Sequence, residues 1–202
     1  MKKKLKTHLA YSWWGYLLLA AAVSTLWWQL FRAASQPKEN EALLISFIGT
    51  AVDTDAIEAQ FKAALPALTQ QEVKLVTVEH LRGEDSYTLS QLLFSRCLSA
   101  DVVVMGREAM FEGIGDGYFA PLEEAEIVSA LGGVSFYREG DAAYGIELPG
   151  ADAWLFFTVN SPNAGGLNGQ GRVEDDAALQ FAKWLLWKEA GENAVQAQNS
   201  GA

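Results

Sequence analysis

An uncharged apolar run near the N-terminus constrains this chain more than any other feature of its sequence. Residues 9–31 contain no Asp, Glu, Lys, Arg or His. As an α-helix with a rise of about 1.5 Å per residue, this run would be ~34 Å long, and the hydrocarbon core of a bilayer is ~30 Å thick. The run therefore predicts a transmembrane helix over residues 9–31, with the lipid bilayer as its partner.

The residues near the ends of the run indicate its orientation. Trp13 and Trp14 lie near one end and Trp27 and Trp28 near the other, as in the aromatic belts at two membrane interfaces. Four lysines precede the run, and such positive charge stays on the cytoplasmic side. We expect a single-pass protein of the cell membrane, with residues 1–8 as a basic cytoplasmic tip and the C-terminal domain outside.

A cleaved signal peptide is the competing interpretation of this segment. Ala33, Ala34 and Ser35 supply small residues for a cleavage site. Against cleavage, the apolar run is longer than the ~7–15 residues of a signal core, and the double Trp at its end suits an anchor. The sequence favours an uncleaved anchor and leaves cleavage open.

Charge is distributed unequally along the chain. Residues 33–202 hold all 25 acidic side chains but only 10 of the 15 basic ones, a formal net charge of −15. A field of this sign repels nucleic acid and anionic lipid, so no nucleic-acid partner is expected. It is typical of a solubilising surface, and it would also attract cations or a basic partner surface.

Residues that commonly carry catalysis or bind metals are few. Cys97 is the only cysteine, so no internal disulfide can form, and its apolar neighbours indicate a buried position. His80 is the only histidine of the predicted outer part, and no nucleophile motif accompanies it. The acidic pairs lack the spacing of a calcium loop. We expect a protein that is not an enzyme, without catalytic residues, metal or cofactor; a hydrolase using His80 is the least favoured alternative.

Strand and helix patterns alternate in the first half of the outer part. The apolar run over residues 43–48 and the largely apolar stretches over residues 73–78 and 101–105 are typical of strands buried on both faces. Apolar residues at helical spacing indicate a helix in each interval, and Pro66 would end the first. Strands joined by helices form parallel sheets covered on both faces. The pattern predicts an α/β domain over residues 43–190, with three αβα layers and a mostly parallel sheet.

The second half of this domain has weaker signals. A short helix is expected over residues 123–131, and strands over residues 134–137 and 143–146 flank a polar turn. Residues 154–159 predict one more buried strand, and an amphipathic helix follows.

Polar residues bound the predicted domain on both sides. Residues 32–42 contain Pro37 and are expected to form a linker after the membrane helix. Residues 191–202 are small and polar, and are expected to form a disordered tail.

Several short segments of the domain occur in a recognisable order. They are residues 61–66 followed by 73–75, residues 100–105, Phe111 with residues 117–123, residues 144–146, and residues 182–185. In this order they resemble the extracellular solute-binding proteins of ABC transporters, in particular the sugar-binding type. The resemblance covers residues 43–190 and implies one lobe of a type II periplasmic-binding-protein fold.

The resemblance also implies a function. It suggests a membrane-anchored, single-lobe accessory to an ABC transporter, with a permease and a carbohydrate or similar small solute as partners. Family members close two lobes over the ligand, and a second lobe is missing here; one lobe cannot bury most of a small ligand. A structural or sensory membrane protein whose outer domain docks another protein therefore stays open as the alternative.

Candidate ligand-binding residues follow the predicted strands. In open parallel sheets, ligands bind beyond the carboxyl ends of the strands. Thr50, Asp85 and Arg107 lie at those ends. Asp53 follows the first strand, and Tyr118 lies in a Gly-rich loop after the third; carboxylate and aromatic side chains can hydrogen-bond and stack on a sugar. In the competing interpretation, Asp53 and Asp85 are helix caps and Tyr118 packs on the core.

Overall fold

The structure is a computed structural model, and its contacts divide the chain into two units, Met1–Lys38 and Glu39–Ala202. It describes residues 2–69, 72–81, 91, 94–110, 117–164 and 176–200, with the side chains of residues 2–12 and 189–200 excluded. We call the second unit the sheet domain.

The first unit consists of one long helix, α1 (Lys2–Ser35). Its stretch Trp13–Ser35 is long and apolar enough to cross a membrane, which holds for no other helix within the described residues. Residues 32–35, expected in the linker, are helical because Arg and Ala favour helices. The helix ends before Pro37, because a proline disfavours helical backbone at the residue preceding it.

The sheet domain is built on a six-stranded sheet with the strand order β2-β1-β3-β6-β5-β4. The strands are β1 (Ala42–Ile48), β2 (Leu75–Leu81), β3 (Val102–Gly106), β4 (Phe136–Glu139), β5 (Ala142–Leu148) and β6 (Ala153–Phe157). Strand β1 pairs in parallel with β2 and β3, as the strand–helix alternation predicted. The pairs β3–β6, β5–β6 and β4–β5 are antiparallel.

The expectation of a mostly parallel sheet was therefore wrong, and the domain is a mixed α/β fold. The connections explain the error. Two residues join β4 to β5, and residues 149–152 join β5 to β6. A parallel pair needs a crossover of a dozen or more residues, so such short links permit antiparallel neighbours alone.

Helices cover one face of the sheet. They are α2 (Thr54–Leu68), α3 (Glu124–Leu131) and α4 (Ala177–Ser200). Phe181 of α4 packs edge-on against Phe61 of α2 and Phe47 of β1, with ring centroids 5.0 and 6.5 Å apart. The aromatic contacts hold both helices on the sheet.

Two helix boundaries differ from the predicted ones. Helix α2 continues past Pro66 to Leu68, because a proline in the last turn removes a single backbone hydrogen bond. Helix α4 continues to Ser200, where a disordered tail was expected from Gly191. The added residues include Ala194, Gln196, Ala197 and Gln198, and Ala and Gln favour helix.

The second face of the sheet carries a smaller apolar core. Val103 and Met105 point to this face, while Val102 and Val104 point to the helix-covered one, so β3 is apolar throughout. Cys97, in the helical residues 94–97, packs here and is buried as predicted. Burial raises the pKa of the Cys97 thiol to about 12, which makes it unreactive.

Candidate functional site

The carboxyl ends of β1 and β3 are the place where a ligand crevice was expected. Strand β1 lies between β2 and β3 in the sheet, and the chain leaves β1 toward α2 on one face. The chain leaves β3 through residues 107–109, and Ala109 packs on the other face. Neighbouring strands whose connections lie on opposite faces form a topological switch point, where open α/β sheets bind ligands. We call this end of the sheet the carboxyl edge.

Two glycines close the crevice at the carboxyl edge. A Cβ atom on Gly106 would collide with the carbonyl oxygen of Gly49. Gly49 has a φ of +66°, and its own Cβ would lie 2.9 Å from that of Ala109. The segment after β3 therefore packs directly on the segment after β1. Among the residues that the structure describes here, Gly49 and Gly106 leave no space for a solute between these two strand ends. Residues 82–90 and 111–116, which follow β2 and β3 in the chain, lie outside the described residues.

Thr50 lies beside this contact. Its hydroxyl oxygen Oγ1 is buried and has no hydrogen-bond partner among the residues that the structure describes. A buried hydroxyl without a partner costs about 1–3 kcal/mol. Thr50 is therefore the one predicted site residue with an unused polar atom in the described part of the carboxyl edge.

Arg107 follows β3 at the same edge and forms an ion pair. Its Nε lies 2.8 Å from Oδ1 of Asp152, and both side chains are 69% exposed. Its backbone N–H donates to the carbonyl oxygen of Asp152. The Asp152 carboxylate raises the pKa of Arg107. The Arg107 guanidinium thus pairs with Asp152 and not with Thr50.

Asp53 and Tyr118 do not join Thr50 and Arg107. Oδ1 of Asp53 accepts the N–H of Ala56 at 3.1 Å, so this carboxylate caps α2. Asp85 lies outside the described residues. Tyr118 accepts the N–H of Val159 at its carbonyl oxygen, which places it at the opposite end of the sheet.

The expectation that Tyr118 lies at the carboxyl edge was therefore wrong. The next residue, Phe119, bridges to Thr158 beside the start of β3, about five strand residues from Arg107. At about 3.3 Å per strand residue, ~16 Å separate the two positions along the strand. The ring of Tyr118 instead packs edge-on against Phe94, with centroids 5.8 Å apart.

An open groove of about 610 Å³ lies at this opposite end, which we call the amino edge. It runs between the first residues of β1 and β2, the end of the helical segment and the residues after β6. Its lining residues are Glu39, Ala42, Leu43, Leu44, Leu75, Thr77, Leu98, Ser99, Asp101, Asn160 and Pro162.

Four exposed apolar side chains lie at the amino edge, and two of them, Leu75 and Leu98, line the groove. They are Phe94 and Leu98, each 52% exposed, Leu75 at 44% and Val159 at 37%. We call these four residues the amino-edge patch. Phe94 and Leu98 are four residues apart and share one side of the helical segment, while Cys97 faces the core. That spacing of two apolar residues is the one signal for the patch in the sequence.

A buried carboxylate anchors the floor of the groove. Asp101 accepts the N–H of Leu44 at 2.7 Å with Oδ2. Its Oδ1 accepts the Ser161 hydroxyl at 2.5 Å and the Asn163 side-chain amide at 3.0 Å. Burial raises the pKa of Asp101, and these hydrogen bonds oppose that rise. Donors from the protein itself occupy both oxygens of this carboxylate, which thereby joins β1, β3 and the segment after β6.

A second polar cluster holds the helical segment on the sheet. Ser46 is fully buried on β1 and donates to Oε1 of Glu79 on β2 at 2.5 Å. Arg96 approaches the same oxygen with its Nε at 2.8 Å. Arg96 lies between Phe94 and Leu98 in sequence, so this ion pair fixes the part of the patch that the helical segment supplies.

Comparison of the chain with known protein families, with curated proteins and with solved structures finds no match. The resemblance to solute-binding proteins therefore stays a prediction. Within the described residues, no group of three or more His, Cys, Asp or Glu side chains could hold a metal ion. The described part of the molecule thus offers two surfaces to consider, the closed carboxyl edge and the open amino edge.

Proposed function

We propose that this chain is a single-pass membrane protein whose sheet domain, on the outer side, docks an apolar surface through the amino-edge patch. The observation that carries this proposal is the contrast between the two edges. In the described part of the carboxyl edge, Gly49 and Gly106 lie in direct contact, whereas the exposed side chains of Leu75 and Leu98 line an open groove at the amino edge.

The exposed surface of α1 supports the membrane part of the proposal. The apolar side chains between Trp13 and Phe31 are exposed in this unit, and a continuous apolar surface of that size needs a lipid or protein partner. The lysines at positions 2, 3, 4 and 6 favour a cytoplasmic N-terminus, and the absence of acidic residues before Glu39 agrees with that orientation.

The chemistry of the patch supports docking. Phe94 and Leu98 expose half of their surface although the fold has two apolar cores available to it. The Arg96–Glu79 ion pair keeps this part of the chain in place with those two side chains outward. Apolar side chains held outward next to a groove are typical of binding surfaces.

Site-specific photo-crosslinking in membranes tests the docking surface. A benzoylphenylalanine residue replaces Leu98 in the full chain, and the matched control carries it at Ala151, which is exposed at the carboxyl edge. We expect a covalent adduct from position 98 and none from position 151. Equal yields at both positions, or adducts at position 151 alone, would contradict the proposal.

Solute binding at the carboxyl edge is the second candidate function, and the unpartnered Thr50 hydroxyl favours it. In this version the domain is a single lobe like that of a type II periplasmic-binding protein, and it serves an ABC transporter for carbohydrate or a similar solute. A thermal-shift screen of the full chain in detergent with sugars tests it. A saturable rise in melting temperature that Thr50→Val abolishes would favour solute binding, and no rise would leave the docking function.

A further inference from the structure

We infer that the apolar surface docked by the amino-edge patch is the lipid bilayer itself, at the boundary between head groups and acyl chains. This inference rests on the proposed function and names the partner of the same surface. It places Phe94, Leu98, Leu75 and Val159 in contact with lipid at that boundary.

The chain that connects α1 to the sheet domain is short. Only Gln36, Pro37 and Lys38 separate Ser35, the last residue of α1, from Glu39. Even fully extended, four residue steps reach ~14 Å. Glu39 is itself one of the residues that line the groove. If α1 crosses the bilayer, covalent geometry therefore keeps Glu39 within that distance of the last residue of the membrane helix.

Glu39 and its neighbours are attached firmly to the amino edge. The side-chain amide of Asn163 donates to the carbonyl oxygens of Ala42 at 2.7 Å and Glu39 at 3.4 Å. The N–H of Lys74 donates to the carbonyl oxygen of Glu41 at 2.7 Å, and its Nζ lies 2.9 Å from the Glu41 carboxylate. These hydrogen bonds hold residues 39–42 on the sheet, so these residues do not add to the length of the connection.

The composition of the amino-edge patch favours lipid as the partner. The residues that dominate protein–protein binding are mostly Trp, Tyr and Arg, and Leu and Val are under-represented among them. The patch consists of two Leu, one Val and one Phe. Phe and Leu are the side chains that amphipathic surfaces insert into the boundary of a bilayer. The composition thus fits lipid better than a protein partner.

The charge of the sheet domain favours one kind of lipid over another. Residues 33–202 have a formal net charge of −15, which repels anionic head groups. Polar groove residues such as Thr77 and Asn160 can donate hydrogen bonds to a zwitterionic head group without a charge of their own. We therefore expect the contact with phosphatidylcholine and a weaker contact when phosphatidylglycerol replaces part of it.

Fluorescence quenching by spin-labelled lipid tests the inference. The full chain is reconstituted in phosphatidylcholine vesicles with one added cysteine that carries an NBD label. The variants are Leu98→Cys and Leu75→Cys in the patch, Ala151→Cys at the carboxyl edge, and Val23→Cys within α1. Cys97 stays in place because it is buried and unreactive, and the unsubstituted chain measures its background labelling.

We expect the label at positions 98 and 75 to show a blue-shifted emission that lipid with a shallow doxyl group quenches. The label at position 151 should show neither effect. Quenching at position 23 reports insertion of α1 independently. Normal quenching at position 23 without quenching at 98 and 75 would overturn the lipid contact and leave the anchor.

The remaining outcomes are also decisive. A blue shift at position 98 without quenching means that protein covers the patch, which overturns the inference in favour of a protein partner. Equal quenching at positions 98 and 151 means that the domain has no preferred edge toward the bilayer, which also overturns it. No quenching at position 23 would remove the proposed membrane function and the inference with it.

Discussion

The side-chain amide of Asn163 donates a 2.7 Å hydrogen bond to the carbonyl oxygen of Ala42, 121 residues earlier in the chain. The same nitrogen lies 3.0 Å from Oδ1 of Asp101. One side chain after β6 therefore joins the first residue of β1 to the residue before β3. This connection determines the shape of the amino edge, because it holds three separate chain segments around the groove.

Replacement of Asn163 tests this connection. Asn163→Ala removes the side-chain donor to the carbonyl oxygen of Ala42. It also removes one of the two side-chain donors to Oδ1 of Asp101, so that Ser161 alone remains. We expect the free energy of unfolding to fall by about 2 kcal/mol, measured by urea denaturation of the full chain in detergent. Asn160→Ala, at an exposed position on the same loop, is the matched control and should change it by less than about 0.5 kcal/mol. Equal effects would contradict the assigned role.

Asp101 should give the stability a specific pH dependence. Because burial raises its pKa in the folded state, the folded protein retains a proton at pH values where the unfolded chain has lost it. The contribution of Asp101 to stability is therefore greatest below its ordinary value of 3.8 and falls as the pH rises through the folded pKa. Melting temperatures at pH values from 3.5 to 7 measure this slope, relative to Asp101→Asn, which lacks it. Identical slopes in both proteins would refute the prediction.

Glu58 should protect the outer edge of the sheet. Its carboxylate accepts the N–H of Val78 on the edge strand β2 at 2.9 Å, and Lys62 and then that N–H lower its pKa. A free N–H on an edge strand invites pairing with another chain. We expect Glu58→Ala to self-associate, as seen by size-exclusion chromatography in detergent, and Glu58→Gln to stay dispersed because its amide oxygen still accepts. A dispersed alanine variant would argue against edge protection.

The same carboxylate has a pH dependence of opposite sign to that of Asp101. A lowered pKa means that the contribution of Glu58 is present above its ordinary value of 4.5 and is lost as the pH falls through the folded pKa. The side chain of Glu58 is 29% exposed, so solvent screening keeps the effect small. Stability of Glu58→Gln should therefore approach that of the unsubstituted chain in acid.

The closed crevice depends on Gly106. Gly106→Ala would place a methyl group against the carbonyl oxygen of Gly49, so that backbone must move, at a cost of about 1–3 kcal/mol. Gly133→Ala is the control, because open space surrounds that position and its φ is not positive. Thermal unfolding should separate the two variants clearly. If Gly106→Ala unfolds at the same temperature as Gly133→Ala, the crevice is not tightly packed.

The N-terminal lysines should control membrane orientation. Replacing Lys2, Lys3, Lys4 and Lys6 by Gln removes the charge that retains this end in the cytoplasm. We expect a fraction of the protein to invert, detected as loss of outer-face protease cleavage in the sheet domain. Unchanged cleavage would contradict the orientation argument, and a Lys62→Gln variant controls for charge loss elsewhere.

Much of the local structure could be predicted because it follows from short-range pattern. The apolar runs gave β1 and β3, the spacing of Ile57 and Phe61 gave α2, and Asp53 caps that helix. The lone Cys97 was correctly expected in the core. The antiparallel half of the sheet was predictable in principle, since two residues between β4 and β5 allow no crossover.

The candidate site was harder to predict because it depends on which chain ends meet. Tyr118 belongs to the opposite edge from Arg107, because Phe119 pairs with Thr158 and this pairing involves residues 39 positions apart. Thr50 and Arg107 share an edge as expected, but two glycines fill the space between their strands. No local pattern around either residue encodes that contact.

The sequence by itself determined the apolar helix, the positions of the strands and the acidity of the domain, because hydrophobic periodicity and charge are properties of neighbouring residues. The tertiary structure alone decided that the crevice is closed and that Phe94 and Leu98 stay exposed beside a groove. Both outcomes depend on long-range packing: Gly49 against Gly106, and Arg96 against Glu79. A side chain's exposure is decided by the segments that fold over it, and those segments lie far away in the chain.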